Sequence, residues 1–164
     1  MANPDKPNGF KYIRSLTGQM APVSLAVAAS QTIAKGDAVI DNGSGLVAIA
    51  ISTSGAILGV AAEAITTTGS VTRVDDRFLV YPAMDDAVFE GQVSGSSTAA
   101  LLFTDVDIEG ATGVMEINEN ATTEQVARIT ALGSDIEVDL DLGANDRVEF
   151  TFKRSQWNGF VAAL

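Results

Sequence analysis

A chain of 164 residues with 46% hydrophobic but only 6% aromatic side chains has the size and apolar content for a domain whose core is mostly Ala, Val, Ile and Leu. It has no cysteine and no histidine, which excludes disulfides, thiolate metal sites and every Ser/His or Cys/His nucleophile pair. A net charge of −11 repels nucleic acid.

The chain opens MANPDKPNGFKYIRSLTGQ. Pro and Asn stand where the apolar stretch of a signal peptide would be, and no later run approaches the ~20 apolar residues of a membrane span. The expectation is a protein made in the cytosol and soluble there. Residues 1–20 carry three cations, Lys6, Lys11 and Arg14, against Asp5, for +2, while the other 144 residues carry −13. Phe10, Tyr12 and Ile13 sit beside Lys11 and Arg14, an apolar and basic mixture unlike a free polar tail. Residues 1–20 are therefore read as an extended arm on an acidic body, 21–164, with Phe10, Lys11, Tyr12, Ile13 and Arg14 as its binding residues. Pro4 and Pro7 hold such an arm extended.

The body reads as strands. SLAVAAS (24–30) alternates weakly, and GDAVI and GLVAIAI flank DNGSG (41–45), a hairpin signal. ILGVAAEAI (57–65) and VTRV follow, then RFLVYPA (77–83), a turn at MDD (84–86) and a returning AVFEGQV (87–93). SGSSTAA (94–100) is small and polar, and marks a candidate sub-boundary. ALLFTDV, GVMEIN and EQVARITAL (124–132) come next. DIEVDLDL sets Ile136, Val138, Leu140 and Leu142 on one face, and across the GAND turn RVEFTF alternates again, predicting a closing hairpin. No stretch sustains a helical period over three turns. The turn spacing predicts an all-β protein, an antiparallel β-sandwich or barrel of about ten short strands, with one or two helical turns at most, near Thr122–Gln125.

Chemistry-bearing patterns are few. Asp105 to Glu116, DVDIEGATGVME, has acids at positions 1, 3, 5 and 12 and Gly110 at 6, the oxygen spacing of a calcium loop; its flanks instead suit a hairpin turn with solvated carboxylates. Asp75-Asp76 and Asp85-Asp86 are read as loop tips, and Asp139, Asp141 and Asp146 as a wet face. Trp157 and Phe160 suit either an interface patch or a cap on a barrel end. Nucleophile elbows and phosphate-binding glycine loops are missing, so the expectation is no enzyme, no cofactor and no metal.

The opening MANPDKPNGFKYIRSLTG, the middle AILGVAAEAI with RFLVYPAMDDAVFEGQV, and the late QVARITALGSDIEVDLDLGANDRVEFTF resemble, in that order, small structural proteins of tailed bacteriophages. The GAILGVAAE segment is also similar to the central strands of capsid decoration, or cement, proteins. The resemblance implies a homotrimer on the outside of the virion, synthesised in the host cytoplasm, that binds the major capsid protein and clamps neighbouring subunits. It implies no nucleic acid, membrane or small-molecule partner. Residues 1–18 would lie on a neighbouring subunit, and removing residues 2–14 would leave the body folded. The familiar decoration proteins are shorter, so residues after about 94 have no counterpart in them. The alternative is a receptor-binding, fibre-associated or tail protein.

Overall fold

The computed structural model describes residues 3–136 and 141–158. These form β1 (Lys11–Ser15), β2 (Val23–Ala26), β3 (Thr32–Ile33), β4 (Ala38–Asp41), β5 (Val47–Ile49), β6 (Gly59–Ala61), β7 (Ile65–Thr66), β8 (Arg77–Pro82), β9 (Ala87–Gln92), β10 (Asp105–Glu109), β11 (Glu116–Asn118), β12 (Ala127–Ala131) and β13 (Arg147–Phe152). One short helix, α1 (Gly133–Ile136), and 3-10 turns at Ala99–Leu101 and Gln156–Asn158 complete the described chain. The protein is all-β, and every ladder between these strands is antiparallel.

Two larger sheets make the body. The first has six strands in the order β1-β9-β13-β12-β10-β11, the second five in the order β2-β8-β6-β4-β5, and β3 pairs with β7 beside them. Each large sheet curls until it meets itself. Just past β9, Val93 makes a parallel bridge to Ile117 of β11, and the Ser94 N–H donates to the Ile117 carbonyl at 2.9 Å. Just past β2, Val27 bridges Val47 of β5, and the Ala28 N–H donates to Val47 at 2.8 Å. Closure removes unpaired edges, and β1 is left as a flanking strand outside the first ring.

Strand alternation sets the cores. Val148, Phe150 and Phe152 of β13 point inward with Phe89, Ile108, Ile117 and Ile129. The second ring encloses Val27, Ile33, Val39, Val47, Ala61, Phe78 and Val80. Its opposite face gives Ala38 and Val60 to the first core, so the two rings share one apolar contact layer. Within the second sheet, Gly59 of β6 lets the neighbouring β8 come close: a Cβ there would lie 2.3 Å from the Tyr81 carbonyl oxygen.

Several expectations need correction. RFLVYPA and AVFEGQV do not pair: β8 belongs to the second sheet and β9 to the first, so Met84–Asp86 is a crossing between layers. SGSSTAA is an internal connection, because the first sheet takes β1 and β9 from before it and β10–β13 from after it. VTRV lies in a turn, with Val74 80% exposed, and no helical turn forms at 122–125. In DIEVDLDL, Asp135 and Ile136 belong to α1, residues 137–140 lie outside the described residues, and Leu142 is exposed. RVEFTF is a strand, but it lies between β9 and β12. Among the described residues no helix is long and apolar enough to cross a membrane.

Candidate interaction surface

The N-terminal segment is the part of the sequence that pointed most directly to binding, and its first half is bound by its own body. Asn3 is buried and donates through Nδ2 to the carbonyls of Asp141 (2.7 Å) and Ala144 (3.3 Å). The Lys6 N–H donates to Oε1 of Gln92 at 2.9 Å, and Gln92 Nε2 donates to Asp5 (3.0 Å) and Glu116 (2.9 Å). Gln92 is 2% exposed, so these bonds satisfy a polar amide that burial would otherwise penalise. Further on, the Phe10 N–H donates to the Gly36 carbonyl at 2.7 Å. The backbones touch there: Gly9 has φ +71°, and a Cβ on it would stand 2.6 Å from the Gly36 oxygen.

Phe10 and Tyr12 enter the shared core. Phe10 is 3% exposed and meets Phe150 edge-on, with ring centroids 5.1 Å apart. Tyr12 stacks on Tyr81 of the second sheet at 4.7 Å and meets Phe89 of the first at 5.9 Å. These two residues were expected as anchors on a neighbouring subunit; the structure places them as anchors between this chain's own two sheets. The reason is the apolar layer already described, which has room for two rings and would be open without them. Residues 1–20 are accordingly no separable arm in their described part.

The other three expected binding residues face outward to differing degrees. Ile13, half-buried, sits where the β1–β9 register shifts, a bulge that spoils the strand as a template for further pairing. Arg14 forms a bidentate pair with Glu149, both contacts 2.6 Å, and its charge is thereby spent within the chain. Lys11 is exposed and makes no ion pair among the described residues. Past β1, the hydroxyls of Ser15 and Thr17 both donate to Asp86, and Ser15 bridges Gly18. These bonds hold the Asp86 carboxyl below its ordinary range.

The acid patterns resolve into structural roles. DVDIEGATGVME is the β10–β11 hairpin, with Glu109 opposite Glu116. Asp105 is held by Arg128 at 2.7 Å and by Lys153, and the Arg128 hydrogen bond, with Lys153 assisting, brings its carboxyl down to about 2. Asp107 accepts the N–H groups of Thr123, Glu124 and Gln125. No group of three or more His, Cys, Asp or Glu side chains suited to a metal ion is gathered among the described residues. Asp75 and Asp76 accept from Thr72, as loop-tip acids do. Asp146 is no member of a wet face: it is fully buried, with the Ser97 hydroxyl donating to it at 2.5 Å. Trp157 is 39% exposed and donates through Nε1 to the Leu58 carbonyl at 2.5 Å, whereas Phe160 lies outside the described residues, as does Asp139.

Sequence reading missed Gln92, Gly36, Lys35, Tyr81 and Arg147, which surround the N-terminal segment. Only proximity in space singles them out, and no local pattern encodes it. No family model matches this chain, and no curated protein matches it.

Proposed function

We propose that this is a structural virion protein, a decoration protein that binds the outer surface of a tailed-phage capsid as a homotrimer and stabilises contacts between major capsid subunits. The observation that carries the reading is the construction of its N-terminal segment. One of the stretches that together carry the phage resemblance, the N-terminal one, is also the stretch whose residues 3–18 tie the two curled sheets into one body. A protein whose work is to resist mechanical strain needs such cross-ties and needs no reactive group. Many modest contacts per particle then add up through multivalency.

Cosedimentation of the purified protein with phage shells that lack it tests the reading. Saturable binding that protects the shells against heat-induced rupture is the expected result. A protein that stays in the supernatant at all concentrations would overturn it. The second reading, a receptor-binding, fibre-associated or tail protein, predicts binding to host cells or tails and none to shells.

A further inference from the structure

Between the two sheets, beside the N-terminal segment, lies an open cleft of about 510 Å³. Its walls carry Lys11, Lys35 and Arg147, and among the described residues no aspartate or glutamate lines it. That is unusual in a chain with 21 acids and 10 cations. Arg147 is balanced by Glu90 at 2.5 Å, but Lys11 and Lys35 are exposed and unpaired among the described residues. Tyr12 and Tyr81 also line the cleft, stacked on one another. The site thus combines two free ammonium groups with an aromatic surface.

We infer that this cleft receives an acidic segment of a different protein chain. A carboxylate of the segment sits between Lys11 and Lys35, and the apolar side chain next to it packs on the tyrosine pair. Charge selects the occupant. Over the ~8 Å reach of electrostatics in physiological salt, a single carboxylate feels the local cations. A nucleic acid, long and uniformly anionic, feels the whole body of charge −11. The chemistry of the cleft stands independently of the capsid reading; only the partner's identity as a shell protein rests on it.

The test is a fluorescence-anisotropy titration of the full chain with a dye-labelled peptide of alternating Glu and Leu, and with its uncharged Gln-for-Glu counterpart. Wild type should bind the acidic peptide more tightly than the uncharged one, and added salt should weaken binding. Lys11→Glu/Lys35→Glu should reduce affinity by at least about tenfold, since close charge reversal across an interface is strongly unfavourable. If that variant folds poorly, Lys11→Gln/Lys35→Gln should still reduce it. Absence of binding, or equal affinity in wild type and both variants, would overturn the inference. So would wild-type self-association in sedimentation velocity that the double variant abolishes, because the cleft would then hold a second copy. Peptide binding by a protein that ignores phage shells would sink the capsid reading alone; shell binding without peptide binding would sink the cleft alone.

Discussion

Phe10 meets Phe150 and Phe152 edge-on, at 5.1 and 6.2 Å, inside a layer where all three are nearly or fully buried. Phe10→Ala removes a buried ring and leaves a cavity, so it should destabilise the protein by about 3–5 kcal/mol in urea titrations. A surface arm residue would change stability by less than about 0.5 kcal/mol. Asp37 offers a second residue-level case. It is fully buried and accepts the Ala34 N–H at 2.8 Å on one oxygen and the Gly113 N–H at 2.7 Å on the other. Asp37→Asn turns an NH₂ toward one of those donors and should cost about 1–3 kcal/mol.

Burial pushes the Asp37 and Glu116 carboxyls above their ordinary range, and the partly offsetting hydrogen bonds come from Gly113 and Ala34 for Asp37 and from Gln92 for Glu116. A raised folded-state value means the folded protein holds those protons more tightly than the unfolded chain. Stability therefore rises as pH falls through that range. Asp105 has the opposite sign. Its stabilisation is present above the unfolded value of about 3.9 and is lost as pH falls through about 2. Chemical denaturation across pH should show a stability maximum on the mildly acidic side, with a decline only in strong acid. A steady decline from neutral pH downward would contradict these assignments.

Among elements, the N-terminal segment matters most. Deleting residues 2–14 removes β1 up to its last residue, both core rings and the Gln92 contacts, so the thermal midpoint should fall sharply instead of leaving an intact body. The β10–β11 hairpin makes a contrasting case. Since Asp105 and Asp107 are already engaged by protein groups, calcium and EDTA should give thermal midpoints within about 1 °C of each other. The hairpin at DNGSG was legible in the sequence because its chemistry is local. Asp41 accepts the N–H groups of Gly43 (3.2 Å) and Gly45 (2.9 Å), both glycines have positive φ, and Asp41 pairs with Val47. The alternation of RVEFTF was legible for the same reason. DIEVDLDL alternates as well, yet Asp135 exchanges bonds with Leu132 in α1, where its carboxylate accepts the Leu132 N–H. The crossing at Met84–Asp86 was hidden because turn residues encode a bend and not the partner of the strand that follows. The role of Phe10 was hidden because its partners lie about 140 residues away in sequence.

At the scale of the molecule, the two curled sheets have separate interiors but a shared layer, to which Ala38, Ile57 and Val60 contribute from one side and Phe89 and Phe150 from the other. Such coupling predicts one cooperative unfolding transition, with intrinsic fluorescence of Trp157 and far-ultraviolet circular dichroism coincident in urea. Two resolved transitions would mean that the sheets unfold independently. A single body with a basic cleft on an acidic surface is suited to repeated docking on a lattice, and this is where the capsid reading can be decided. The measurement is the copy number of the protein in purified phage particles, by quantitative mass spectrometry against the major capsid protein. The account predicts about one copy per capsid subunit, or a simple fraction of that. A few copies per particle, or none, would contradict it.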